Sequence, residues 1–219
     1  MVIHHLLYNF VSFLDAPEWL FTNPVFDVLH YIFAGLFIFL SGLSSRFSRG
    51  NIRRGLIALA LAFAITAVTY YMDMPIWFGV IHLLAFSMLF FGLTRSIWDM
   101  IPRKIVSAIF ISLIVASSLA ISHVEPIAEN WMSNILLSLL GWRQLGFESY
   151  DYFPLLPWIF VFLLGTWAGI YIVERRLPTW FYDAEFPILP AIGRKSLLIY
   201  VLHQPILYGL VMVIRPLIL

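Results

Sequence analysis

Long apolar runs, broken by short polar stretches, divide the chain into seven hydrophobic segments. A straight helical span needs about 20 apolar residues. On that measure spans are predicted at about 25–43, 55–71, 76–93, 105–121, 153–173 and 196–214, each closed by charge, proline or a turn such as Met72-Asp73-Met74-Pro75. The first segment, 1–14, stops at Asp15-Ala16-Pro17-Glu18 and is several residues short. It lacks the basic start and small-residue cleavage site of a signal peptide, so it is expected to be a retained short helix, beginning inside the bilayer or after a missing N-terminal piece. Asn23-Pro24 opens the second span with an N-cap and a proline at the first helical position. A further apolar stretch, 131–142, reads as an interfacial helix. The predicted fold is therefore all-α: a polytopic transmembrane helix bundle of about seven spans with a short first helix, forming a single domain over 1–219.

Composition agrees with this pattern. Of 219 residues 62% are hydrophobic and only 11% charged, whereas a soluble domain carries about 25% charged residues. A net charge of +1 removes the strong positive field that nucleic-acid binding requires. With no cysteine, thiolate nucleophiles, disulfides and thiolate-bound metals are excluded. The charges are unevenly placed. Arg46, Arg49, Arg53 and Arg54 follow the second span, Arg95, Arg103 and Lys104 follow the fourth, and Arg175, Arg176, Arg194 and Lys195 follow the sixth; the alternate loops are acidic. By the positive-inside rule the basic loops are cytoplasmic, with the N-terminus inside and the C-terminus outside.

The polar residues within spans carry the candidate chemistry. In MVIHHLLYNF, His5 and Asn9 lie four residues apart and share a helix face, as do His4 and Tyr8. Ionisable groups in a span usually face a protein interior or a water-filled cavity. At about 1.5 Å per residue, His5 lies about 13 Å from the outer end of its helix, and His203, in SLLIYVLHQP, is similarly deep from the inner end; His30 and His82 sit about 8–9 Å below the outer surface. A neutral imidazole suits a general base. Structural roles compete: His203 precedes Gln204-Pro205, and a proline frees an upstream carbonyl that an imidazole could satisfy. A metal site of His4, His5, His30 and His82 has no spacing signature behind it, so no metal is expected. No carboxylate lies deep in a span, which argues against a proton-coupled carrier.

Three blocks carry a resemblance: FGVIHLLAFSML at 78–89, DYFPLLPWIFVFLLGTWAG at 151–169 and GRKSLLIYVLHQPILY at 193–208. Together and in this order they resemble the catalytic domain family of heparan-alpha-glucosaminide N-acetyltransferase. MVIHHLLYNF is similar to the family's first-span segment, in which a Met is followed four residues later by a His, here His5; Asn9 stands where many members carry Asp. The resemblance implies a multi-pass acyltransferase that takes acetyl from cytoplasmic acetyl-CoA to an acceptor, often a sugar amine or hydroxyl, on the other side. His5 would then be the base, with Asn9 orienting it or supporting the oxyanion, or His5 would carry an acetyl-imidazole intermediate. Arg46, Arg49, Arg53, Arg54, Arg194 or Lys195 would meet the CoA phosphates. Asp27, His30, His82, Tyr152 and His203 would line the acceptor end. The implied partners are the lipid bilayer, acetyl-CoA as a co-substrate that is not tightly held, a sugar-type or lipid-linked acceptor, and, as one allowed assembly, a second copy. The rival readings on the same frame are a non-catalytic transporter, a lipid- or ligand-binding protein, and a scaffold without a ligand.

Overall fold

The computed structural model describes residues 2–184 and 186–218, Ile218 by its backbone alone. Ten α-helices run in order: α1 (Val2–Phe13), α2 (Pro24–Phe47), α3 (Asn51–Tyr71), α4 (Val80–Met100), α5 (Arg103–His123), α6 (Trp131–Leu140), α7 (Trp158–Val173), α8 (Thr179–Asp183), α9 (Leu189–Arg194) and α10 (Ser196–Ile218). Among the described residues there is no strand. Five stretches, Glu18–Phe47, Asn51–Tyr71, Val80–Met100, Arg103–His123 and Ser196–Leu217, are long and apolar enough to cross a membrane. The count of about seven spans adds α1 and α7, of 12 and 16 residues. The protein is thus an all-helical, polytopic membrane chain. Its helices leave large side chains such as Val28, Ile32, Phe63, Val115 and Leu210 exposed, the surface that lipid covers.

Several helix ends move relative to the sequence expectation. Asn23 does cap α2, its Oδ1 accepting from the Val25 amide at 2.8 Å. However, α2 runs four residues past 43, so Arg46 sits in a last helical turn rather than a loop. Helix α4 begins at Val80 and continues to Met100, which places His82 in its first turn and turns most of the predicted 94–104 loop into helix. Polar Thr94, Arg95 and Ser96 lower the hydropathy there without breaking the helix, whose periodicity carries on beyond the apolar run. Helix α7 begins at Trp158, five residues inside the predicted span, because Pro154 and Pro157 hold the preceding backbone extended or turned. The stretch expected to be interfacial forms the helix α6, with a capping box between Asn130 and Ser133 and Gly141, at φ 136°, beyond its end.

The chain forms two compact units, residues 1–34 with 177–219 and residues 35–176. In the first, α1 lies along α10, where Phe13 and Tyr208 meet edge to face at 5.3 Å. Phe21, following a 3-10 turn at Glu18–Leu20, packs on Tyr8 and His4 at 5.4 and 4.9 Å. In the second, α3 packs on α4, and α7 packs on both α4 and α5. Helix α3 turns Gly55, Ala58, Ala62 and Thr66 inward, a stripe of small residues that lets two backbones approach. A Cβ at Gly55 would meet Leu89 and the Ala85 carbonyl at 2.8 and 3.1 Å. The later turns of α2 meet α7 still more closely, since a Cβ at Gly42 would strike the carbonyl of Phe162 and one at Gly165 the carbonyl of Phe39.

Candidate functional site

The polar cluster of the first unit is built by α1 and α10. The one-turn spacing of His5 and Asn9 sets both on the α1 face that packs against α10. His5 lies 5.0 Å, ring to ring, from His203. Asn9, wholly buried, accepts through Oδ1 from Gln204 Nε2 at 3.1 Å. On the other side His4 contacts His5 at 5.6 Å and His30 at 4.1 Å. Four imidazoles, His30, His4, His5 and His203, therefore stand in sequence across this unit. His203 is also buried, and its Nδ1 lies 2.5 Å from the Tyr200 carbonyl. The expected satisfaction of a carbonyl by His203 is present, but the carbonyl is that of Tyr200, not the Val201 carbonyl that Pro205 leaves without its helical donor.

On α1 and α10, Asn9 Nδ2, His203 Nε2 and Gln204 Oε1 are buried without a hydrogen-bond partner among the described residues. One is a donor, one an acceptor amide oxygen, and one an imidazole nitrogen. Such atoms cost free energy when left dry, and they lie together on the two facing helices α1 and α10. Gln204 is absent from the sequence-based set. Its signal is its position, a polar side chain at depth in a span beside a histidine. Asp27 is exposed and His30 half-buried at the start of α2, in the same unit; Arg194 and Lys195 are exposed at the junction of α9 and α10.

The second unit holds the other candidates. Arg46 pairs with Asp99 at 2.5 Å and stands 5.9 Å over the Phe91 ring, and Arg103 pairs with Glu174. These two pairs line a cavity of about 220 Å³ together with Trp98, Phe110 and Trp167. Arg46 is thus half-neutralised, which the acid-free stretch around it conceals because Asp99 comes from 53 residues away. Arg49 lines a smaller cavity of about 110 Å³ with Arg95 and the first residues of α3, whose exposed Arg53 and Arg54 follow.

His82 is buried between Phe63 and Phe78, its Nε2 3.3 Å from Thr66 Oγ1. Thr66 gives its one hydroxyl proton to the Ile76 carbonyl at 2.6 Å, so His82 Nε2 must be the donor in the contact with Thr66. His82 thereby pins the α3–α4 connection. The N-terminus of α4 meets a carboxylate from far along the chain, Asp151 Oδ2 at 3.5 Å from the Val80 amide. Tyr152 donates to the Ser138 carbonyl at 2.5 Å under the Arg143 guanidinium, 5.2 Å above its ring. Burial pushes its phenol up to about 12, with Arg143 pulling the other way. Among the described residues no three His, Asp or Glu side chains gather in a way that could hold a metal ion.

The fold is that of a multi-pass membrane protein, with imidazoles and amides buried together between α1 and α10. The chain belongs to the heparan-alpha-glucosaminide N-acetyltransferase catalytic family, whose model matches residues 1–205 of the 219. That membership gives it a transmembrane acetyltransferase-like role. No curated protein and no solved structure matches the chain.

Proposed function

We propose that this protein moves an acetyl group from cytoplasmic acetyl-CoA to a sugar-type amine or hydroxyl at the external side of the membrane. The observation that carries the reading is the family match over residues 1–205. His5 is the base that takes the acceptor's proton, being the less buried ring of the pair it forms with His203. Asn9 holds the site together through Gln204, and its unpartnered Nδ2 is the donor at hand for the oxyanion. The CoA phosphates are met by Arg49, Arg53 and Arg54, with Arg46 more weakly because of Asp99, or alternatively by Arg194 or Lys195. Since Thr66 and Ser138 already engage His82 and Tyr152, the acceptor end rests first on Asp27 and His30.

Two measurements on detergent-purified protein test this. Acetyl-CoA should bind, and His5→Ala should cut transfer by about 10²–10⁴-fold, the usual contribution of general base catalysis, with His4→Ala costing far less. Absence of acetyl-CoA binding would favour a transporter or ligand-binding protein on the same frame; equal losses at His4 and His5 would remove His5 as the base.

A further inference from the structure

The two imidazoles that meet between α1 and α10 are not equivalent. His203 Nδ1 is 2.5 Å from the Tyr200 carbonyl oxygen. A carbonyl only accepts, so Nδ1 carries the hydrogen, and Nε2 of the neutral ring is left with a lone pair. That Nε2 is closed off from solvent and has no partner among the described residues. Its ring neighbours are Tyr200 at 5.5 Å and His5 at 5.0 Å. His5 differs on each count: it is only partly buried, and no hydrogen bond from a described residue fixes either of its nitrogens.

We propose that His203 is a positioning residue for His5, its Nδ1–H held by the Tyr200 carbonyl and its Nε2 accepting an N–H of His5 once that ring takes up a proton. The proposal rests on the reading of His5 as the base. Burial distinguishes the two rings: His5 keeps some exposure through which an acceptor would approach, whereas His203 Nε2 is enclosed, with the His5 ring 5.0 Å from its own. The arrangement has the logic of a base oriented by a third group, with a neutral imidazole where other sites use a carboxylate. A neutral partner avoids leaving an unpaired charge in a low-dielectric interior whenever His5 is unprotonated.

The reaction balances without any further reagent. The acceptor's lone pair forms the N–C or O–C bond to the thioester carbonyl carbon, whose π pair moves onto oxygen. The acceptor's N–H or O–H proton passes to His5. When the carbonyl re-forms, the C–S bond breaks, and the leaving thiolate takes the proton back from His5 to give the CoA thiol. His203 exchanges no proton; it accepts a hydrogen bond while His5 is charged.

Two substitutions separate this role from simple helix packing. His203→Asn keeps an N–H donor near the place of Nδ1 for Tyr200 and deletes Nε2. His203→Gln is long enough to bring an amide oxygen to the place of Nε2. With acetyl-CoA as donor and glucosamine as the acceptor probe, release of CoA thiol should fall on the order of 100-fold in His203→Asn. His203→Gln should recover at least about tenfold of that loss, because an oxygen acceptor is restored. Nitrogen-15 NMR of histidine-labelled protein, with the His203→Gln spectrum used for assignment, should show the hydrogen of His203 on Nδ1 before any substrate is added.

An Asn variant with near-native activity, a Gln variant no better than Asn, or a hydrogen found on Nε2 would each overturn the proposal while leaving His5 as the base. A wild-type protein that releases no CoA thiol would instead defeat the acetyltransferase reading, and this role with it.

Discussion

Gln204 Nε2 donates to Asn9 Oδ1 across 3.1 Å, joining α10 to α1 over a separation of 195 residues. Both amides keep one further polar atom, Asn9 Nδ2 and Gln204 Oε1, buried and unpartnered among the described residues. The bond is therefore a single strut between two amides rather than a closed pair. It holds together the two helices that carry His5 and His203.

An amide pair of this kind stabilises by about 1 kcal/mol, and each single truncation leaves the other partner buried without its bond. Asn9→Ala and Gln204→Ala should each lower stability by roughly 1–2 kcal/mol, and the double variant by clearly less than their sum. A double-mutant cycle on thermal unfolding in detergent measures this. Strict additivity would mean that the two amides do not couple.

Tyr152 gives a pH prediction whose sign follows from its environment. Burial raises its phenol to about 12, against an ordinary value of about 10. Between those values the unfolded chain has lost this proton and the folded one has not, so stability falls as pH rises from 10 to 12 and is untouched by this group below 10. Tyr152→Phe loses the bond to the Ser138 carbonyl, worth about 1 kcal/mol at neutral pH, but escapes the alkaline loss. The gap in unfolding temperature between the two proteins should therefore narrow from pH 8 to pH 11. A constant gap would show that the phenol titrates normally.

The proposed orientation is testable because the chain has no cysteine of its own. Gly50 has open space where a side chain would go, and Leu145 is 99% exposed. Gly50→Cys should react with an impermeant thiol reagent only from the cytoplasm, and Leu145→Cys only from outside. The opposite pattern would invert the chain and place the Arg49–Arg54 region on the wrong face for cytoplasmic acetyl-CoA.

The helices were legible because a span announces itself by apolar length, and Asn23-Pro24 and Asn130 announce their caps by residue type. Helix ends were less so. Beyond Leu93 and Leu43 the helices go on after the apolar run has stopped, and hydropathy reports the bilayer rather than the hydrogen-bond ladder. Within the cluster, the pairing of His5 with Asn9 followed from helical spacing, but Gln204 did not. Its partner lies at the other end of the chain, and no periodicity links residues 195 apart. The same distance hid Asp99 from Arg46 and Asp151 from the start of α4.

Gly42 and Gly165 meet the facing backbone so closely that a methyl group on either would collide with a carbonyl oxygen. Neither has an atom that could take part in chemistry, yet any side chain would force two helices apart. A survey of every single substitution in this chain would consequently record these glycines among its most intolerant positions, beside His5. Tolerance alone would not tell a hinge pin from a reagent. Measuring abundance in the membrane alongside turnover would separate them, since Gly165→Val should deplete the protein itself, whereas His5→Ala should leave it present and silent.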